Sequence, residues 1–218
     1  MAPPARSATP SAVAIFAALL VALAHLRFLW LDARLPRDLC LCLTKVPEDA
    51  AHLAAANPAG WMEILTGLTQ SSGWLHTLDV TLFTLTGRPD AVQGLDVLGI
   101  SAIVLLSAGL ARRFGGPWAG ATTALLVGAM PGLVVEGRLG WIHVPEAALT
   151  LGGLLAWVAD PTLTRRRTVS VLAVFGALIL TLRPSGLIWA GSLAVPVAWS
   201  WRFGGADRAH VRVVLGAW

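Results

Sequence analysis

The chain has 218 residues, of which 56% are hydrophobic and only 13% charged, with a mean hydropathy of +0.71. Those values exclude an ordinary soluble globular domain, which carries fewer apolar and roughly twice as many charged residues. The formal net charge of +4 does not mark a nucleic-acid surface, because the basic residues cluster beside apolar runs, where membrane topology accounts for them.

Met1 to Pro10 is rich in Ala, Pro and Ser and reads as disordered. Ser11 to about Leu31 is the first apolar run, long enough to cross a hydrocarbon core about 30 Å thick as a helix. It follows Arg6 as a signal peptide would. It is longer than a usual signal core, however, and no Ala-x-Ala cleavage pattern follows, so a retained anchor is expected. His25 and Arg27 near its outer end are expected to snorkel to the interface.

The segment from about 32 to 91 is the polar part of the chain. It gathers Asp32, Asp38, Glu48, Asp49, Glu63, Asp79 and Asp90, both cysteines, two of the five histidines and the only lysine, Lys45. A disulfide between Cys40 and Cys42 is strained at that spacing, and a metal site needs more ligands than two thiolates. They read as packing residues, with a labile disulfide as the alternative, and no metal or cofactor is expected. Pro47-Glu48-Asp49 has the form of a helix start, and Asn57-Pro58-Ala59-Gly60 that of a turn. From Trp74 to Thr86, Leu75, Leu78, Leu82 and Leu85 recur at three- and four-residue steps, with His76, Asp79 and Thr86 opposite. That pattern predicts an amphipathic helix lying at a membrane interface.

Five further spans are expected after it. They run from about Val92 to Ala111, Trp118 to Val135, Pro145 to Asp160, Val169 to Leu182 and Leu187 to Trp201. The fold class is therefore all-α, a polytopic transmembrane bundle of about six spans occupying residues 11–218. Helices in lipid pack through small residues, and 22 glycines with abundant alanine suit that. Placing the N-terminus inside puts Arg112, Arg113, Arg165, Arg166, Arg167, Arg202, Arg208 and Arg212 inside as well, as the positive-inside rule requires. The polar segment, the loop carrying Glu136, Arg138 and His143, and the Arg183-Pro184-Ser185-Gly186 turn then share the outer face. Both ends are expected to be cytoplasmic, in a bacterial inner (plasma) membrane. Asp96, just inside the second span, requires a partner or an aqueous cavity. Val213 to Trp218 begins another apolar stretch, so the sequence is expected to be the N-terminal part of a longer protein.

Several short stretches, in this order, carry a resemblance to a known group. These are Leu82-Phe83-Thr84-Leu85-Thr86-Gly87-Arg88, Gly109-Leu110-Ala111-Arg112-Arg113-Phe114-Gly115-Gly116, Met130-Pro131, and Leu180-Thr181-Leu182-Arg183-Pro184-Ser185-Gly186-Leu187. Together with an early Asp after the first span, they resemble the GT-C superfamily of membrane glycosyltransferases. The branch is that of the dolichyl-phosphate-mannose-protein mannosyltransferases and bacterial lipid A aminoarabinose transferases. Two departures stand out. Asp38 is followed by Leu39 where the family has an Asp-Glu pair, and the fourth span opens on His143-Val144-Pro145-Glu146 where the family often has an Asp near a proline.

The resemblance implies transfer of a sugar from a polyprenyl-phosphate donor to a lipid, glycan or protein acceptor, with membrane lipid as surroundings and no nucleic acid. The acceptor hydroxyl needs a base or charge-stabilising carboxylate, for which Asp38 is the candidate. Glu136 and Glu146 are candidates to support it or to bind the acceptor, and Arg138 and Arg183 to hold the departing phosphate. The competing readings are a catalytically inactive membrane scaffold on the same fold and a transporter-like subunit.

Overall fold

The computed structural model describes residues 9–31, 73–133, 143–182 and 186–218. Asp38, Cys40, Cys42, the helix start at Pro47, Glu136, Arg138 and Arg183 lie outside the described residues. Within them every regular element is a helix. These are α1 (Thr9–Leu31), α2 (Gly73–Thr86), α3 (Pro89–Gly128), α4 (His143–Ala159), α5 (Arg166–Leu182), α6 (Gly186–Arg202) and α7 (Arg208–Ala217). The ends of α1, α4, α5 and α6 fall within about three residues of the expected spans.

The expected second and third spans form the one element α3, and its middle explains how. Pro89 opens it, at a position where a missing N–H is tolerated. At Gly116 the backbone takes φ 81°, ψ −174°, a region reserved for glycine, and Pro117 follows. The chain then reverses. A Cβ placed on Gly120 would stand 2.8 Å from the Ala108 carbonyl oxygen, and one on Gly128 would reach the side chains of Val21 and Val104. In a straight helix residues 108 and 120 would be about 18 Å apart. α3 is therefore a hairpin whose two arms pack antiparallel, with Arg112 and Arg113 at the bend. Gly94–Gly128 is the one stretch among the described residues that is long and apolar enough, by length and composition, to cross a membrane.

Close approaches fix the register of the remaining helices. Gly99 faces Val144 and Gly109 faces Leu155, so the first arm of α3 runs parallel to α4. Gly152 receives the ring of Phe175, and Leu149 packs beside Ile179, so α5 runs antiparallel to α4. Gly153 receives Leu193, and the Trp157 indole N–H donates to the Ser200 hydroxyl at 2.7 Å, which sets α6 parallel to α4. α4 is thus the hub, touching α3, α5 and α6.

This register sorts the chain into two ends. One holds the starts of α3, α4 and α6 and the end of α5. The other holds the α3 bend, the ends of α4 and α6, and the starts of α5 and α7. Every one of Arg112, Arg113, Arg165, Arg166, Arg167, Arg202, Arg208 and Arg212 belongs to that second end, and all eight are exposed. α7 starts there with Asp207 as its cap, the carboxylate accepting from the Ala209 N–H at 2.8 Å. It then climbs beside the first half of α5. Val211 and Val214 join Leu163, Val169, Leu172 and Val197 in one buried cluster, and the Trp218 indole N–H donates to the Leu172 carbonyl at 3.1 Å.

Large apolar side chains stand on the surface as well as in the core. α1 turns Ala17, Ala18 and Val21 inward and leaves Ile15, Phe16, Leu19, Leu20 and Leu23 exposed. Ala121 and Ala124 lie inside α3 while Leu125 and Leu126 face out, and α6 exposes Leu187, Ile188, Val195 and Trp199. Helix α2 behaves similarly. Its anchor in the bundle is Val80, fully buried, whereas Leu85 is 77% exposed and Leu78 is exposed as well. Of the leucine stripe of α2, Leu78 and Leu85 thus face away from the bundle, while Leu75 and Leu82 are half-buried. Its Thr81, Thr84 and Thr86 hydroxyls donate to the carbonyls of Thr77, Val80 and Leu82 at 2.7 Å, which satisfies them within the helix.

Candidate functional site

Among the candidate residues, Glu146 is the one the structure describes. His143-Val144-Pro145-Glu146 forms the first turn of α4, where proline's fixed φ suits helix initiation and a carboxylate meets the positive end of the helix dipole. Val144 and Glu146 are buried, Val144 under Gly99 of α3. Glu146 is 0% exposed, whereas the His143 side chain is 37% exposed. Spacing of three residues puts both on one helix face. The His143 Nδ1–H donates to Glu146 Oε2 at 3.1 Å. That tautomer, assigned from its carboxylate partner, carries the ring's acceptor lone pair on Nε2. One turn further, the Thr150 hydroxyl donates to the Glu146 carbonyl at 2.8 Å, so the turn holding the carboxylate is itself braced.

The pair stands at the end of the bundle without the arginine cluster. Leu133, which packs on the cluster containing Val144, precedes the 134–142 segment. Leu182 and Gly186 flank 183–185, and a Cβ on Gly186 would overlap the Ile179 carbonyl, so α5 and α6 meet closely there. The described neighbours of Glu136, Arg138 and Arg183 in sequence therefore belong to the same end as Glu146. Those three residues and Asp38 lie outside the described residues. Asp96, one turn from Ile100 on α3, is half-buried and has an interacting partner. Among the described residues no three His, Cys, Asp or Glu side chains converge as metal ligands.

What this arrangement can do chemically is hold a carboxylate away from water beside an imidazole. A hydroxyl that reached His143 would meet an acceptor nitrogen whose other side is hydrogen-bonded to the carboxylate, the geometry that fixes the ring's orientation. Sequence reasoning singled out Glu146 and passed over His143. The signal was present in the His-x-x-Glu spacing at the start of a helix.

The opposite end carries a second polar cluster, and its chemistry is structural. The Asp160 carboxylate, just past the end of α4, accepts from the Arg165 N–H at 2.7 Å, the Thr164 N–H at 3.3 Å, and the Thr162 and Thr164 hydroxyls at 3.1 Å each. Burial raises its pKa, the largest single effect, but the bonds from Arg165, Thr164 and Thr162 together outweigh it and hold the carboxyl below the ordinary aspartate value. The turn also drives Leu163 into the core at φ 53°, an unusual backbone for a non-glycine residue. Its carbonyl accepts from the His210 Nδ1–H of α7 at 2.7 Å.

No family of known proteins, no curated protein and no solved structure matches the chain.

Proposed function

We propose that the chain is a polytopic membrane domain with the α4 start facing outward and the arginine end inward, and that it transfers a sugar from a polyprenyl-phosphate to an extracytoplasmic acceptor. The membrane component of this reading rests on the many large apolar side chains that face out and on the glycines at the close approaches between helices, features that lipid favours. Gly94–Gly128 of α3 adds the stretch that is long and apolar enough, by length and composition, to cross a hydrocarbon core.

The observation that carries the transferase reading is Glu146, fully buried and held by His143 at the end opposite the arginines. Ionisable groups at depth in a membrane protein are costly and are retained where they function. In the proposed site Asp38 serves as base at the acceptor hydroxyl. Glu146, oriented by His143, and Glu136 bind the acceptor, and Arg138 and Arg183 hold the leaving phosphate, all resting on the GT-C resemblance. The complete burial of Glu146 also favours a second reading, in which the pair only locks the first turn of α4 in an inactive scaffold.

The test is turnover of a synthetic polyprenyl-phosphate sugar by the protein in liposomes. The transferase reading expects Asp38→Asn to lower kcat by roughly 10²-fold or more. Glu146→Gln, which keeps shape and hydrogen bonding, should raise the acceptor KM. Wild-type kinetics in both variants, or no turnover by the wild type with any tested sugar, leaves the scaffold reading standing.

A further inference from the structure

At the arginine end, the sequence of α7 places Arg208, Val211, Arg212 and Leu215 at positions i, i+3, i+4 and i+7, which is one helix face. Val211 stands at the inner edge of that face, and with Val214 it packs into the buried cluster against α5 and α6. Opposite this face stands Trp201, the penultimate residue of α6, itself 56% exposed. Between them lies a cavity of about 390 Å³ lined by Trp201, Arg208, Val211, Arg212 and Leu215.

The cavity is lined by both arginine and apolar side chains. Arg208 and Arg212 are one turn apart at the start of α7, with Leu215 roughly 10 Å further along the helix axis from Arg208. Because α7 climbs beside α5, that direction leads away from the arginine end and toward the middle of the bundle. Trp201 closes the wall, and the next aromatics hold the α6 terminus in place. Phe203 lies 4.7 Å from the Trp199 ring, and the Arg202 guanidinium sits 5.1 Å above the Phe203 ring. Asp207, the nearest carboxylate in sequence, is turned to the Ala209 N–H as a cap.

We infer that this cavity is a binding site for an anionic phospholipid of the surrounding bilayer, its phosphate between Arg208 and Arg212 and its first methylenes against Trp201, Val211 and Leu215. The inference rests on the membrane reading above and does not depend on the transferase reading. Two guanidiniums match a phosphate in charge and geometry. The apolar lining of the same cavity selects an amphiphile over a free anion. The occupant is a lipid of the inward leaflet, because the site belongs to the end carrying Arg165, Arg166 and Arg167.

Native mass spectrometry of the whole chain in neutral detergent tests this, with phosphatidylglycerol, phosphatidylcholine of matched chains, and inorganic phosphate as the three probes. One phosphatidylglycerol should be retained more tightly than phosphatidylcholine, and inorganic phosphate should be retained far less. Arg208→Gln/Arg212→Gln should weaken phosphatidylglycerol roughly 30-fold, about fivefold for each cation near a lipid headgroup. Arg208→Lys/Arg212→Lys should recover most of that. Leu215→Trp, which fills the cavity and keeps both arginines, should weaken it as well, and Arg166→Gln/Arg167→Gln should change it less than twofold. Helicity by circular dichroism confirms that each variant is folded. Equal losses in both arginine pairs would mean general surface charge and overturn the site, as would undiminished binding in Leu215→Trp. Inorganic phosphate binding as tightly as lipid would replace the lipid by a free anion. Flotation of the wild-type protein with neutral vesicles separates the two layers. If it floats while the variants bind lipid normally, only the site falls. If it does not float, the membrane reading falls and the site with it.

Discussion

The hairpin in α3 is open to a direct test through two glycines of the same element. Gly94 has nothing within 4 Å of where a Cβ would stand, whereas a Cβ on Gly120 would stand 2.8 Å from the Ala108 carbonyl oxygen and 3.0 Å from the Arg112 Cβ. Gly94→Ala therefore gains only the helix-propensity difference, about 1 kcal/mol. Gly120→Ala gains the same but must push the two arms of the hairpin apart by roughly half an ångström, and overpacking of that kind costs about 1–3 kcal/mol. The net for Gly120→Ala lies between about zero and a loss of about 2 kcal/mol. At roughly 2–4 °C per kcal/mol for a chain of this size, Gly94→Ala should raise the thermal midpoint in detergent by about 2–4 °C and Gly120→Ala should not raise it. Spin labels at the exposed positions Leu105 and Leu125 give an independent reading. A straight helix puts these Cα atoms about 30 Å apart, and packed antiparallel arms bring the helix axes to roughly 8–10 Å. Equal stabilisation by the two alanines together with a label distance near 30 Å would refute the hairpin.

Three further outcomes are expected. Asp160→Ala should cost about 1–3 kcal/mol by removing the acceptor for four donors at the start of α5. Because the folded carboxyl is held below its ordinary value, the folded state binds its proton less readily than the unfolded chain does. Its contribution should be complete above the ordinary aspartate pKa, about 3.9, and should fall as pH drops through the lower folded value; thermal midpoints recorded across acid pH should show a shallower acid loss in Asp160→Asn than in the wild type. Ser200→Ala should cost about 1–3 kcal/mol by stranding the Trp157 indole N–H, and a cycle with Trp157→Phe should show the two changes to be less than additive. In intact cells a membrane-impermeant maleimide should modify a cysteine at Gly87 and spare one at Arg166; the reverse pattern would invert the proposed orientation.

Much of the helical frame was legible from hydropathy alone, because apolar runs bounded by Arg-Arg, Gly-Gly-Pro and Asp-Pro leave few choices for where helices end. The pairing of helices was not, because it depends on which glycine meets which side chain, as Gly152 does with Phe175 and Gly153 with Leu193. For α2 the period of Leu75, Leu78, Leu82 and Leu85 located the helix, but its contact with the bundle through Val80 was not part of that period. A leucine stripe that seeks lipid and one that seeks protein read alike in sequence. For the site, burial of Glu146 follows from its place in the first turn of the most central helix, a tertiary fact. Its partner His143 is a local one and was readable. The start of α7 at Arg208 was hidden by its charges, since the apolar stretch begins only at Val213 while the cap is set by Asp207.

If the chain spans a membrane in the orientation proposed above, the separation of charge between its two ends has an electrical consequence. At the α7 end eight exposed arginines stand against Asp160 and Asp207, while the α4 end carries Glu146 beside His143. In a membrane held negative on the inside, each unit charge displaced across the full potential is worth about 2.3 kcal/mol per 100 mV. Carrying six net positive charges to the outer face would therefore cost about 14 kcal/mol per 100 mV, before any lost contact is counted. The resting voltage of an energised cell would thus act as a latch on the orientation, and one that loosens when the membrane is depolarised.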